Sequence, residues 1–354
     1  MSPAENVSTA AVVRSLPFAS WPVIDQRAWQ AACQPGERLK RGGLASHLKA
    51  ITRKDLVRRY GYFLDHVQRT DGLAEQSRPA AYVTPERVER YKAELLARVS
   101  SVTTYGSIYK LRRTSQLLAP DRDLGWLKEL ENDLALVMEP RSKLDRLVYT
   151  HVLADAAIRF MEEVHRSPQT DRLARARRFR NGLMVAVVAI HLIRLKNLVQ
   201  LAIGTSFKEI NRTWWICLSA EDTKEARPDE RSIDPMLADW VTVYLRQYRP
   251  VLAAGHDPCH ALWLSSYGGP LSYNAVEHVI DRMTLELVGL NVSPHMFRTS
   301  GASTCYVYAP ANPHLATALL HHRDQRVTQQ HYNAASSASA TQGFLEFIKR
   351  LRQT

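Results

Sequence analysis

Apolar positions follow a helical rhythm in the first third of the chain, alternate briefly past its middle, and return to helical spacing towards its end. From Thr52, a residue that can cap a helix, Leu56, Tyr60, Phe63, Leu64 and Val67 recur along one face. Thr84-Pro85 opens a second helix with the stripe Val88, Tyr91, Leu95 and Val99. A third begins near Ser101 to Thr103 and carries Tyr105, Ile108 and Tyr109, then Lys110, Arg112 and Arg113. Residues 1–40, with Pro17, Pro22, Pro35 and Gly36, read as an irregular segment, and residues 41–140 as a small all-helical bundle. Residues 136–165 read as helix leading into a second domain. The longest apolar run, Leu183 to Ile193, is interrupted by His191 and is far shorter than the ~20 residues of a spanning helix. It is expected to be a buried core helix.

Between 206 and 235 the pattern changes to strands. Phe207 to Ile210 and Thr213 to Leu218 flank Asn211-Arg212, a hairpin turn. Trp263 to Pro270 and a helix capped by Ser272 read as structural connections. The fold class is therefore mainly α with a small antiparallel β-sheet (α+β). At the end, small residues from Ala334 to Ala340 precede Phe344, Phe347, Ile348 and Leu351 at i, i+3, i+4 and i+7, with Lys349, Arg350 and Arg352 on other faces. That helix either packs on its own domain or docks in a neighbouring protomer.

A length of 354 residues favours two domains. Lys and Arg number 47 against 35 Asp and Glu, a net charge of +12, and this excess suggests a polyanionic partner, nucleic acid before membrane. Cys33, Cys217, Cys259 and Cys305 lie far apart without a C-x-x-C pair, which argues against zinc or a disulfide framework and fits a reducing cytoplasm. The N-terminus, with Glu5 and a single early Arg, lacks the apolar core of a signal peptide. An arginine run (Arg166, Arg172, Arg175, Arg177, Arg178, Arg180) is opposed only by Asp171. It and the Lys110, Arg112, Arg113 cluster are either solvated faces or contacts to a phosphate backbone.

Chemistry concentrates in the last sixty residues. Ser293 suits an N-cap and Pro294 the first helical position, so His295 and Arg298 share a face within the first turn of a helix. A helix N-terminus offers unpaired N–H groups and partial positive charge, which with an imidazole and a guanidinium suits a phosphate. Leu319-Leu320-His321-His322 follows, then Tyr332. In this order and spacing the segments resemble the tyrosine recombinases, or phage-type integrases.

The resemblance implies further assignments. Residues 41–140 look like the helical core-binding domain that clamps DNA opposite the catalytic domain, residues 160–354 like the catalytic domain, and residues 342–354 like its C-terminal exchange helix. Arg194 matches the first catalytic arginine of a Gly-Leu-Arg-x-x-Glu-like segment, with Asn197 where an acidic residue is usual and Leu192-Ile193 where Gly-Leu is common. Lys224 matches the lysine of the turn between strands, and His322, ten residues before Tyr332, the site histidine, with His321 as the alternative. Tyr306 and Tyr308 are rival tyrosines. Two arginines would bind the non-bridging oxygens of a phosphodiester, Tyr332 would attack phosphorus, and Lys224 would protonate the leaving oxygen, leaving a 3′-phosphotyrosine and a 5′-hydroxyl. His295 and His322 would donate hydrogen bonds or carry protons.

No metal or nucleotide cofactor is implied. The expected partner is double-stranded DNA, bound by a homo-tetramer assembled through C-terminal helix exchange in a bacterial, nucleoid-associated cytoplasmic setting without membrane. Integration, excision, transposition and dimer resolution all share this chemistry. A non-cutting DNA-binding protein on the same fold and a type IB topoisomerase-like relaxing enzyme are the alternatives.

Overall fold

The structure is a computed structural model that describes residues 14–38, 41–140, 144–167, 171–223, 226–309, 312 and 314–320. The chain divides into two units, Met1–Ser142 and Lys143–Thr354. The first contains α1 (Val23–Cys33), α2 (Ala50–Thr70), α3 (Pro85–Arg98), α4 (Ser101–Leu118) and α5 (Gly125–Val137). Leu56, Tyr60, Phe63, Leu64 and Val67 all face inward from α2 and meet Val88, Tyr91 and Leu95 of α3 and Ile108 and Leu111 of α4. Thr84 caps α3 by accepting the Arg87 N–H.

Two local expectations are corrected. The first forty residues are not wholly irregular: α1 forms there and sends Trp29 and Ala32 into the core. Pro22 is its N-cap and Pro35 lies just past its C-cap Gln34, so these prolines bracket a helix rather than exclude one. Trp21 stands edge-on to Tyr60, 4.8 Å between centroids, and the Leu16 N–H donates to the Gly61 carbonyl at 3.0 Å. Helix α2 starts at Ala50, with Lys49 as N-cap, so Thr52 sits inside the first turn.

The second unit contains α6 (Thr150–Arg166), α7 (Arg172–His191), the short α8 (Leu195–Val199), strands β1 (Phe207–Ile210), β2 (Thr213–Leu218) and β3 (Asp229–Ser232), then α9 (Pro235–Val243). A π-helical turn, Tyr244–Tyr248, leads to α10 (Arg249–Ala253), α11 (Tyr273–Val288), α12 (Pro294–Tyr308) and α13 (Leu315–Leu320). Helix α7 is its axis. Residues 182–189 are all buried, as the unbroken apolar run predicts. Its Gly182 lets α6 approach, since a Cβ there would lie 2.9 Å from Met161 Cγ and 3.0 Å from Phe160 Cδ1.

The sheet is antiparallel in the order β1-β2-β3, pairing Phe207 with Ile216 and Trp215 with Ser232. Asn211 and Arg212 have φ of 51° and 64°, the geometry that a two-residue hairpin of right-handed twist requires. Ser272 caps α11 by accepting the Ala275 N–H. No helix among the described residues is long and apolar enough to cross a membrane.

Candidate active site

Helix α7 stops at His191 because Leu192 turns left-handed, with φ of 53°. Glycine is the usual occupant of such a cap, and a side chain there costs about 1–2 kcal/mol. Burial compensates: Leu192 is 3% exposed, among Ala302, Ala316 and Leu320. Helix α12 passes it with a glycine, for a Cβ on Gly301 would sit 2.4 Å from Leu192 Cδ1. Two residues on, half-buried Arg194 is the N-cap of α8. Its carbonyl accepts from the N–H groups of Asn197 at 2.8 Å and Leu198 at 3.0 Å. Trp263 Nε1 donates to the Leu198 carbonyl at 2.9 Å and fixes this short helix. Asn197 is buried.

Helix α12 begins at Pro294 as expected, but Ser293 makes no side-chain cap bond. His295 is exposed in the first turn and Arg298 is half-buried. The Arg298 guanidinium donates through Nη1 to the Leu192 carbonyl at 2.6 Å and through Nη2 to the Leu320 carbonyl. The fold thus brings the helix carrying His295 and Arg298 against the loop that emerges towards Arg194 and against the end of α13. Lys224, His321, His322, Tyr332 and the tail lie outside the described residues. Thr223, just before Lys224, is buried; its hydroxyl donates to the Arg227 carbonyl at 2.7 Å and accepts the Arg227 N–H at 3.0 Å.

Nothing in the sequence reading singles out Asp229 or Arg231, yet they join this site. Arg231 pairs with both carboxylate oxygens of Asp229, at 2.7 and 2.8 Å, and donates to the carbonyls of His191 and Leu319. The signal available was their i, i+2 spacing, which puts opposite charges on one face of a strand. Beside them His191 is buried, and its Nε2 has no hydrogen-bond partner among the described residues. Burial, reinforced by the Arg231 charge and opposed by Asp234 and Asp229, pushes its pKa down to about 4. The imidazole is neutral at ordinary pH.

The rival tyrosines are on α12. Tyr308 is exposed and meets Tyr149 and His151 edge-on, at 5.4 and 4.9 Å, and Tyr306 is half-buried.

Most cations proposed to meet phosphates have partners within the protein. Lys110 pairs with Asp55, and Arg112 with Glu131 and Gln116, while Arg113 is half-buried on the same helix. Arg175 donates to the carbonyls of Val164 and His165. Arg178 lies over the Phe160 ring and pairs with Glu286 at 3.1 Å. Arg177 is exposed and, with Arg178, His278 and Arg282, lines an open groove of about 480 Å³ between α7 and α11. Asp171, the lone acid of the run, caps α7 by accepting from the N–H groups of Leu173 and Ala174.

No family model and no curated protein sequence matches the chain. Solved structures do. The chain is similar to the XerH site-specific recombinase bound to difH substrate in a pre-cleavage complex, at 13% identity and a TM-score of 0.54, over 91% of this chain and 97% of that one. It is likewise similar to XerH bound to palindromic difH substrate in a post-cleavage complex, at 14% identity and 0.52, over 82% of this chain and 78% of that one. At such identities the likeness is one of fold.

Proposed function

We propose that this chain, whose fold is that of the tyrosine recombinases, is a site-specific DNA recombinase that cuts and rejoins DNA through a 3′-phosphotyrosine at Tyr332. The observation that carries the reading is the bond from Arg298 to the Leu192 carbonyl. It brings together two segments, distant in sequence, that each bear a candidate phosphate-binding arginine. The solved neighbours of like fold are a site-specific recombinase bound to its difH substrate, which supports DNA as the partner here.

In this mechanism Arg194 and Arg298 take the non-bridging oxygens and meet the charge that grows as phosphorus becomes five-coordinate. The Tyr332 oxygen attacks phosphorus, its proton passing to His295 or His322. The bond to the 5′-oxygen breaks and that oxygen takes a proton from Lys224. The phosphotyrosyl bond retains the energy for religation by a 5′-hydroxyl. Residues 41–140 serve as the DNA-clamping helical domain and 160–354 as the catalytic domain. The segment 342–354 is exchanged between protomers of a tetramer.

The test uses nicked duplexes tiled across the DNA flanking the gene. Wild type should form a covalent protein–DNA adduct that survives denaturation, and Tyr332→Phe should bind equally and form none. An adduct persisting in the Phe variant removes Tyr332 from the role and makes Tyr306 or Tyr308 the candidate. Binding without any adduct would establish a non-cutting DNA-binding protein, and relaxation of supercoils without partner exchange a topoisomerase.

A further inference from the structure

We infer that Arg231, held by Asp229, is a positioning residue for strand cleavage: it sets the two helix ends on which the phosphate-gripping arginines depend. The inference rests on the function proposed above.

The geometry is a two-by-two lattice. Helix α7 ends in the consecutive carbonyls of His191 and Leu192, and the last described carbonyls of α13 are those of Leu319 and Leu320. Arg231 takes the first of each pair, His191 and Leu319, and Arg298 takes the second of each, Leu192 and Leu320. The last carbonyls of a helix have no partner within it and carry partial negative charge, so guanidiniums suit them. The two arginines are not equivalent. Arg231 is anchored bidentately on Asp229, and side-chain exposure is 11% for Arg231 and 8% for Asp229. All three nitrogens of this guanidinium are engaged by Asp229 and the two carbonyls, so its charge is matched where it stands. Arg298 has the same carbonyl ends on one side, and its direction towards a phosphate is fixed only while those ends are fixed.

Strand β3 also follows, in sequence, the segment 219–228 in which Lys224 falls, so one guanidinium joins the strand after that segment to the loop before Arg194 and to the residues before His321. Misplacing a catalytic group by about 1 Å costs on the order of 100-fold in rate. Loss of Arg231 leaves two carbonyls competing for Arg298 and should exact a penalty of that size without removing any group that touches DNA.

The full-length protein is compared with Arg231→Ala, Arg231→Lys and Asp229→Asn in single-turnover cleavage of the nicked duplexes. Arg231→Ala should cleave roughly 100-fold slower, with DNA affinity within about twofold of wild type, and Arg231→Lys and Asp229→Asn should fall between. A duplex with a neutral methylphosphonate at the scissile position needs less charge stabilisation from the positioned arginines, so the deficit should shrink to below about tenfold. Amide hydrogen exchange at 192–200 and 315–320 should quicken in Arg231→Ala with the remainder of the unit unchanged. Equal deficits on both substrates accompanied by lost DNA binding would make Arg231 mere scaffolding and overturn the inference. Wild-type cleavage by Arg231→Ala would do the same while leaving the proposed function intact. Failure of wild type itself to form a Tyr332-dependent adduct sinks the proposed function and this inference with it, and unchanged exchange in Arg231→Ala rejects the link between the helix ends whatever the activity.

Discussion

Along its first half α7 carries its own arginines, whereas at its C-terminal end it receives them from β3 and α12. The first set stands out in the sequence as a run, and much of it is occupied structurally: Arg175 closes the carbonyls at the end of α6, Arg180 is buried on the Leu264 carbonyl, and Arg178 pairs with Glu286. The second set comes from residues scattered in sequence and converges on four helix-end carbonyls. Density of charge along a chain thus indicates little about where a guanidinium is held in a site. What matters is which acceptors the fold leaves unsatisfied nearby.

The sharpest way to break this contrast is to remove one arginine from each end. Arg298→Ala should slow cleavage of the nicked duplexes by roughly 1,000-fold, the scale seen when a donor to a developing oxyanion is lost, with DNA binding retained. Arg175→Ala should leave the cleavage rate of the folded protein within a few-fold and act instead on stability. Single-turnover rates decide it; comparable losses in both variants would erase the distinction.

How far the sequence reveals all this depends on the range of each signal. The Asn211-Arg212 turn, the Thr84 and Ser272 caps and the inward stripe of α2 were legible because each is written within a few residues. The clamp at the end of α7 was not, because the acceptors of Arg231 and Arg298 are main-chain carbonyls, which leave no mark in a sequence. Leu192 is similar: a hydrophobic residue gives no hint of a left-handed turn, and only Gly301, far along the chain, makes room for it. Helix α1 was hidden because its flanking prolines read as breakers, while Ser293 carried a cap signal that its side chain does not use. Arg194, Lys224 and His322 were reached through resemblance to a family rather than through spacing alone.

A second test uses the imidazole at the clamped end. His191 has its pKa depressed from 6.5 to about 4 by burial first and by the Arg231 charge second. The unfolded chain therefore binds a proton between these values that the folded chain does not. Stability from this group is complete above pH 6.5 and is lost as pH falls towards 4, by up to about 3 kcal/mol. His191→Gln should lose that much less than wild type between pH 7 and pH 4, measured by denaturant unfolding. Parallel pH profiles would show that His191 takes up its proton without opening the site.

Arg180 tests the other end with a somewhat smaller effect. It is 4% exposed and donates to the Leu264 carbonyl and to Asn181 Oδ1, and burial pushes its pKa down to about 10. Arg180→Ala orphans a buried carbonyl and opens a void, so unfolding free energy should drop by about 2 kcal/mol. The salt dependence of DNA binding by the folded protein should not change. A reduced salt slope would mean that Arg180 reaches phosphate after all and that burial does not define the structural class of arginine.

The smallest effect comes from Arg178, where the two classes come closest. Its ion pair with Glu286 is half-exposed on both sides, 46% and 52%, and such pairs contribute only about 0.2–1 kcal/mol. Arg178→Ala and Glu286→Ala should therefore each change stability by less than about 1 kcal/mol, with a double-mutant coupling near the lower end of that range. Their effects on DNA should differ in sign. Losing Arg178 from the groove wall lowers the slope of log affinity against log salt by about 1 if it meets a phosphate, while losing Glu286 removes a repelling carboxylate and raises affinity at low salt. An unchanged slope in Arg178→Ala would assign Arg178, with Arg175 and Arg180, to holding the unit together and leave exposed Arg172 and Arg177 as the arginines of α7 facing solvent.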